Sequence, residues 1–173
     1  GCSNAPTEDR IADEITSNIQ LKYIENIGFY EYTSGAWQKR TDGQIKAYAD
    51  KQYNRFSTAQ RITAVTNLLK SKTLSNCEFD KLPLWNFING TLELNTGKFR
   101  EHSQDNLCSI QMPYAYDPGA KCPNWERFIA DVTNNDPRSG EILQFIPGYA
   151  LFTGCPHEKI FVLTGEGGNG KSR

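Results

Sequence analysis

The sequence predicts an α+β protein, because the spacing of its apolar residues changes along the 173-residue chain. In the first part, apolar residues recur every three or four positions, which is the period of an amphipathic helix. The middle part holds short runs joined by glycine-containing turns, which is typical of β-hairpins. The last part returns to helical spacing and then to a short apolar run. We therefore expect a helical N-terminal half, a central β-hairpin region, and further helices that lead into one buried strand.

Three amphipathic helices are predicted before residue 73. The first is predicted from apolar residues at helical spacing: Ile11, Ile15, Ile19 and Tyr23. Asp42 is expected to cap the second helix, because its side chain can accept a hydrogen bond from a first-turn N–H. Ser57 and Gln60 have the three-residue separation of a capping box, so the third helix is expected to begin there.

Two β-hairpins are predicted from their turns. In the first, Gly35 can supply the positive φ that a tight turn requires between the runs 29–32 and 37–40. The second lies within residues 85–94, where Asn89-Gly90 is a strong two-residue turn signal.

Two more helices are predicted after Pro123 and after Asp136-Pro137, since proline suits the first position of a helix. Pro147 is expected to kink or end the second of them, because it has no backbone N–H to donate. Four aromatic residues lie on apolar faces of the central and C-terminal segments, and we interpret them as core residues and not as base-stacking groups: Trp85, Phe87, Trp125 and Phe128.

The apolar run 159–164 is typical of a β-strand that is buried on both faces. An octapeptide that fits the phosphate-loop pattern G-x-x-x-x-G-K-[ST] follows it directly: Gly165, Glu166, Gly167, Gly168, Asn169, Gly170, Lys171 and Ser172. The predicted fold therefore ends in the first strand and P-loop of a truncated α/β ATPase core.

Each residue type in this loop has a physical reason to be there. The glycines let backbone N–H groups surround a phosphate without interference from a Cβ. Lys171 would place a positive charge on the outer phosphates and is the catalytic candidate in a complete ATPase core, while Ser172 would offer its hydroxyl to Mg²⁺. The loop thus predicts ATP and Mg²⁺ as cofactors, and the alternative is a glycine-rich turn that binds nothing. Alone, the segment is expected to be inactive.

Two stretches upstream of the loop resemble a known family. They are residues 87–99, FINGTLELNTGKF, and residues 116–128, YDPGAKCPNWERF. Both are similar to the signature of phage and plasmid primase–helicases, F-x-N-G-x-L-[DE]-L followed by Y-[DN]-P-x-A-x-C-P-x-W-x-x-F, and the loop fits the family's G-x-G-x-N-G-K-S. The resemblance implies a poxvirus-type primase N-terminal-like domain that leads into a superfamily 3 helicase.

The resemblance also implies an organisation and a function. Residues 1–10 would be a disordered tail, residues 11–156 a collar or linker domain, and residues 157–173 the start of the ATPase core. The parent protein would be an ATP-driven DNA replication helicase that forms a homo-oligomeric ring on single-stranded or forked DNA, in some members with a primase domain. It would act in the cytoplasm of a bacterial host and be encoded by a phage, prophage or plasmid. The alternative is a non-enzymatic module for oligomerisation, primase docking or DNA loading.

Charge is unevenly distributed, although the net charge is only −1. Residues 1–36 carry a net charge of −4 and residues 73–173 a net charge of −3, whereas residues 37–72, the basic segment, carry +6. Basic surfaces can neutralise DNA phosphates, but they are more often simply solvated. The candidate DNA contacts within this segment are Lys39, Arg40, Lys46, Lys51, Arg55 and Arg61.

The cysteines and histidines favour neither a disulfide framework nor a metal site. The five cysteines are irregularly spaced, no C-x-x-C pair occurs, and only two histidines are present. We therefore expect free thiols in a reducing compartment. No apolar run approaches the roughly 20 residues that cross a bilayer, so no membrane partner is expected.

Overall fold

The structure is a computed structural model that describes residues 5–151 and 158–164. The chain divides into two compact units, Gly1–Tyr116 and Asp117–Arg173. The described residues contain five α-helices and two three-stranded antiparallel sheets, which confirms the α+β class.

Helices and strands occur in groups along the chain. Unit 1 contains α1 (Glu8–Asn18), β1 (Leu21–Ile24), β2 (Gly28–Thr33), β3 (Ala36–Arg40), α2 (Asp42–Tyr53), α3 (Ala59–Lys72), β4 (Leu84–Phe87), β5 (Gly90–Glu93) and β6 (Phe99–Arg100). Two short 3₁₀ helices, Asn54–Phe56 and Gln104–Asn106, lie between them. Unit 2 contains α4 (Pro123–Val132) and α5 (Pro137–Ala150).

Threonines cap the first three helices, and two of the predicted caps are wrong by one residue. Thr41, not Asp42, caps α2 through a full capping box: Gln44 N donates to Thr41 Oγ1 at 3.2 Å, and Thr41 N donates to Gln44 Oε1 at 2.8 Å. This reciprocal pair satisfies the N–H groups of both Thr41 and Gln44. At α3, Thr58 is the cap, because the Ser57 hydroxyl donates to the Asp50 carboxylate instead.

The first helix is shorter than its apolar spacing suggests. It ends at Asn18, Ile19 is already extended, and Tyr23 lies in β1. β1 pairs with β2, and Tyr23 lies opposite Phe29. The backbone groups of this segment therefore form hydrogen bonds with the neighbouring strand and not within a helix. The Tyr23 ring still reaches the core, 4.9 Å from the Phe29 ring centroid.

The core of unit 1 lies between the three helices and one face of the first sheet. Its fully enclosed members come from each of these elements: Ile11, Ala12, Ile15, Phe29, Ile45, Ala49, Tyr53, Val65 and Leu69. Phe29 is the sheet's central contribution and is 0% exposed. The apolar face predicted around Ile11 and Ile15 is therefore confirmed, and α2 and α3 direct Ile45 and Leu69 to the same core.

The first hairpin forms as predicted. Ser34 and Gly35 have positive φ values of 52° and 83°, and Thr33 pairs with Ala36 across the turn. A Cβ on Gly35 would lie 2.5 Å from the His102 ring, so this position has no room for a side chain.

In the second sheet, the turn is shifted by one residue from the prediction. Phe87 pairs with Gly90, so Ile88 and Asn89 form the turn and Gly90 belongs to β5. Two contacts explain the shift. The Asn89 side chain exchanges two hydrogen bonds with the backbone of Tyr116, at 3.0 and 2.8 Å. A Cβ on Gly90 would lie 2.5 Å from the Arg100 carbonyl oxygen.

Unit 2 corrects two predictions. Pro147 lies inside α5, which continues to Ala150; proline removes one hydrogen-bond donor, and the following residues carry the helix on. Trp125 and Phe128 are 39% and 40% exposed, so their assignment to the core is wrong. Their rings pack on each other at 5.8 Å, but α4 and α5 alone cannot enclose them. In unit 1, by contrast, Phe87 is buried and Trp85 is partly buried.

The segment 158–164 is not a strand in the structure. It pairs with no strand in the part of the chain that the structure describes, and Ile160 and Val162 are 90% and 77% exposed. A strand buried on both faces requires neighbours in a sheet, and apolar composition alone does not supply them. Phe161 packs edge-on against Phe145 and Tyr149, at 6.3 and 5.8 Å.

The core can be tested with one substitution at two positions. Ile45→Ala removes a fully enclosed side chain and should lower the free energy of unfolding by about 2–5 kcal/mol. Ile27→Ala removes a side chain that is 50% exposed and should change it by no more than about 0.5 kcal/mol. Urea unfolding followed by circular dichroism measures both. Equal losses at the two positions would show that the core is misplaced.

Candidate nucleic-acid interface

The basic segment folds into β3, α2 and α3, and these elements separate its charges into two groups. One group is held by acidic side chains inside the fold. The other group lies exposed on the surface. Contact between a nucleic acid and the first group would require an internal ion pair to break.

Arg40 belongs to the first group. Its Nε lies 2.7 Å from Glu31 Oε2, and Tyr48 OH donates to the same oxygen at 2.7 Å. The Arg40 and Glu31 side chains are only 20% and 11% exposed. The hydrogen bond with Glu31 raises the pKa of Arg40 above its ordinary value. Arg40 therefore neutralises the Glu31 carboxylate at the border of the core. This geometry does not support the prediction that Arg40 contacts DNA.

Arg61 also faces inward. Its Nη1 donates to the Phe56 carbonyl oxygen at 2.9 Å, and its Nε lies 3.8 Å from Glu8 Oε1. The guanidinium stands over the Tyr53 ring, 5.8 Å from its centroid. Burial raises the pKa of Tyr53, and the nearby Glu8 charge adds to this. Arg61 thus connects α1 with the start of α3.

Two lysines of α3 are paired as well. Lys72 Nζ lies 2.6 Å from Asp13 Oδ1 and 2.8 Å from Asp9 Oδ1, so it joins α3 to α1. Lys70 Nζ lies 3.7 Å from Asp42 Oδ2 and stands over the Tyr23 ring at 5.5 Å. The acidic first segment and the basic segment therefore neutralise each other in part.

The exposed group contains the remaining candidates. Lys39, Lys46 and Lys51 are exposed and form no ion pair among the described residues. Arg55 is exposed and stands over the Phe56 ring at 4.9 Å. Lys46, Lys51 and Arg55 lie on α2 and the turn after it, and we call them the helical basic surface.

Lys39 lies elsewhere, on β3, and it is joined there by residues that the sequence did not single out. Tyr30 pairs with Lys22 on one side and with Lys39 on the other. Side chains directly opposite each other in a sheet lie on the same face. The turn predicted at Gly35 is enough to derive the pairing of Tyr30 with Lys39. The position of Lys22 beside Tyr30 cannot be derived in this way, because the segment that contains Lys22 is predicted as helix.

A cavity of about 240 Å³ lies beside the second sheet. Leu82, Pro83 and Leu84 form its apolar side, and Glu93, Arg100 and Asn106 line it as well. Glu93 Oε2 lies 2.5 Å from Arg100 Nη2, and the hydrogen bond from Thr96, followed by the charge of Arg100, lowers the pKa of Glu93. Because this pair cancels its own charge, the cavity offers no net attraction to a phosphate.

The predicted phosphate loop, residues 165–172, lies outside the described residues, and this includes Lys171 and Ser172. Among the residues that are described, no group of three His, Cys, Asp or Glu side chains could hold a metal ion. Cys77, Cys108 and Cys122 are free thiols, as predicted. Burial, with the Asp80 charge, raises the pKa of Cys108 to about 11, so this thiol is protonated at neutral pH.

The fold is of the α+β class, and its surface carries exposed lysines. The family described as D5 N terminal like matches residues 8–134, and the chain belongs to this family. Domains of this family are associated with phage and plasmid primase–helicases, proteins of DNA replication. The family also suggests DNA and oligomeric partners. No curated protein matches the chain.

The helices bear on the expectation that no membrane is involved. None of the helices in residues 5–151 and 158–164 has the length and apolar character needed to span a bilayer.

The two groups of basic residues predict different effects for neighbouring substitutions. Arg40→Gln leaves the Glu31 carboxylate half-paired and should lower the free energy of unfolding by about 1–3 kcal/mol, below the range for fully buried pairs because both groups keep some solvent. Lys39→Gln should change it by no more than about 0.5 kcal/mol. Thermal melting with DNA titration separates the roles. Weaker DNA binding by Arg40→Gln at full stability would place Arg40 in the interface.

Proposed function

We propose that this chain is the N-terminal segment of an ATP-dependent DNA replication helicase of the primase–helicase type. The observation that carries the proposal is the family match over residues 8–134. In this proposal residues 11–156 form a collar or linker domain, and residues 157–173 begin the ATPase core. The parent protein acts in the cytoplasm of a bacterial host and is encoded by a phage, prophage or plasmid.

The nucleotide site of the proposal is the octapeptide from Gly165 to Ser172. Its support is the residue pattern together with the apolar run before it. Backbone N–H groups of the glycines would surround the phosphates of ATP, and Lys171 would contact the outer ones. Ser172 would offer its hydroxyl to Mg²⁺, the ion that neutralises charge on the phosphates during transfer.

The DNA contact of the proposal is the helical basic surface, formed by Lys46, Lys51 and Arg55. All three side chains are exposed, and Lys46 and Lys51 form no ion pair among the described residues. Lysine and arginine contacts to phosphates do not depend on base sequence, so this surface would bind DNA without sequence preference. A homo-oligomeric ring, in some arrangements with a primase domain, completes the proposed assembly.

A non-enzymatic docking role is the second candidate, and one observation favours it. Unit 2 exposes several large apolar side chains: Trp125, Phe128, Ile142 and Phe145. Apolar residues grouped on a surface often mark contacts with other proteins. Oligomerisation, primase docking or DNA loading would each use such contacts, and an accessory module of this kind can also belong to a helicase.

ATP turnover tests the nucleotide site. The 173-residue chain should release no phosphate from ATP, whether residue 171 is Lys or Ala. A longer chain that contains a complete ATPase core should turn over ATP and respond to DNA, and Lys171→Ala should abolish this activity because no other side chain of the motif supplies that charge. Steady-state phosphate release from the four samples measures the effect. Full activity of the longer Ala variant, with normal folding, would refute the assignment of Lys171.

DNA binding tests the helical basic surface. The 173-residue chain should bind DNA weakly, with an affinity that falls steeply as salt is raised. The Lys46→Gln/Lys51→Gln double variant should weaken binding several-fold and flatten the salt dependence. Lys98→Gln/Lys121→Gln removes the same charge from other exposed positions and is the matched control. Fluorescence anisotropy at two salt concentrations gives the slopes. Equal losses in both double variants would mean that only net charge matters.

A further inference from the structure

The first sheet has one face that the helices do not cover. Side chains alternate between the two faces of a strand, so Phe29 and Glu31 point to the helices, while Tyr30 and Tyr32 point to the opposite face. Through the strand register, Lys22, Trp37 and Lys39 share that opposite face. Phe79 and Gln104 lie against Trp37 at one end of this face, and no helix in the described part of the chain covers the remainder. We call it the open face.

The open face carries a row of three residues, one from each strand. Lys22 lies opposite Tyr30, and Tyr30 lies opposite Lys39. Neighbouring strands are about 4.8 Å apart, so the Lys22 and Lys39 side chains leave the backbone on either side of Tyr30. Lys22 Nζ stands 5.2 Å from the centroid of the Trp37 ring, which is 2% exposed and forms the floor beneath it.

The aromatic part of this row is larger than one ring. Phe79 packs against Tyr30 with ring centroids 4.5 Å apart, and Phe79 also lies 6.0 Å from Trp37. Tyr30 and Phe79 are both partly exposed. The result is an aromatic surface that solvent reaches and that has a lysine at each side.

Among the described residues, no acidic side chain forms an ion pair with a lysine of this row. Within the three strands, the only acidic side chain is Glu31, which points to the other face and is held by Arg40 and Tyr48. Near Phe79, Glu78 pairs with Lys81 at 3.3 Å, and Asp80 accepts hydrogen bonds from Ser109 and Ile110. Lys22 and Lys39 form no ion pair among the described residues.

We propose that the open face binds single-stranded nucleic acid, with a base stacked on the Tyr30–Phe79 aromatic surface and phosphates contacted by Lys22 and Lys39. Aromatic rings beside cations are the combination with which proteins bind single strands, because every base has a face that can stack. A duplex keeps its bases inside the helix, so the open face prefers single strands. This inference rests on the proposed DNA-replication function and adds a surface separate from Lys46 and Lys51.

The test compares the 173-residue chain and its variants on two probes, a labelled oligo-dT and a labelled duplex of equal length. Tyr30→Leu removes the ring and should weaken binding to oligo-dT about tenfold or more, with little change for the duplex. Tyr30→Phe keeps the ring and is the matched control, which should bind like wild type. Lys22→Gln and Lys39→Gln should each lower the salt slope for oligo-dT by about 0.7.

The outcomes separate this inference from the proposed function. If wild type binds neither probe at low salt while folded, the DNA contact itself is refuted. If wild type binds DNA but Tyr30→Leu binds oligo-dT normally, only the open-face inference is overturned. Should Tyr30→Leu fail to fold, the Lys22→Gln/Lys39→Gln double variant takes its place, and an unchanged preference for oligo-dT would overturn the inference. Equal capture of polyglutamate would assign the surface to acidic peptides and overturn it too.

Discussion

The burial of one face of the first sheet against three helices is the constraint on which the rest of unit 1 depends. Phe29 contributes the sheet's central side chain, and Ile45 and Leu69 meet it from α2 and α3. At the border of this core, Glu31 accepts from both Arg40 and Tyr48, so the buried carboxylate is paired and hydrogen-bonded. Because the helices occupy this face, the opposite face is left for polar and aromatic residues.

A polar connection then joins the first hairpin to the second sheet. Asn86 is 4% exposed, and its Nδ2 donates to the Gly35 carbonyl oxygen at 3.0 Å. Its Oδ1 accepts from the Thr91 hydroxyl at 3.3 Å. From the other side, the His102 ring packs directly on Gly35 and contacts the Phe87 carbonyl oxygen at 2.7 Å through Nε2. Gly35 is thus required for two reasons. The turn needs its positive φ, and the His102 ring leaves no room for a β-carbon.

The sequence predicts features that depend on neighbouring residues, such as turns and helix starts. It does not predict contacts between residues that are distant along the chain. The turn at Gly35 and the helix starts at Pro123 and Pro137 follow from backbone preferences of single residues, and they are correct. Tyr23 was misassigned because four-residue spacing continues across the end of a helix into a strand. For Trp125 and Phe128, periodicity indicates an apolar helix face but does not say whether another element covers it.

The same limit explains the candidate interface. A count over residues 37–72 gives a net charge of +6, but Arg40 and Arg61 are held by Glu31 and Glu8, which lie in a different part of the sequence. Only the fold reveals which cations remain available.

Two of the exposed lysines, Lys39 and Lys46, lie on either side of the β3–α2 junction. Lys39 ends the row on the open face, and Lys46 follows just after the first turn of α2. Thr41 lies between them, and its capping box with Gln44 sets the direction in which α2 leaves β3. A nucleic acid that contacted both would therefore have to pass this junction. Base stacking on the open face and phosphate contacts on the helical basic surface would then contribute to a single binding event. The folded chain already connects the two surfaces, so no further conformational entropy is lost in bringing them together.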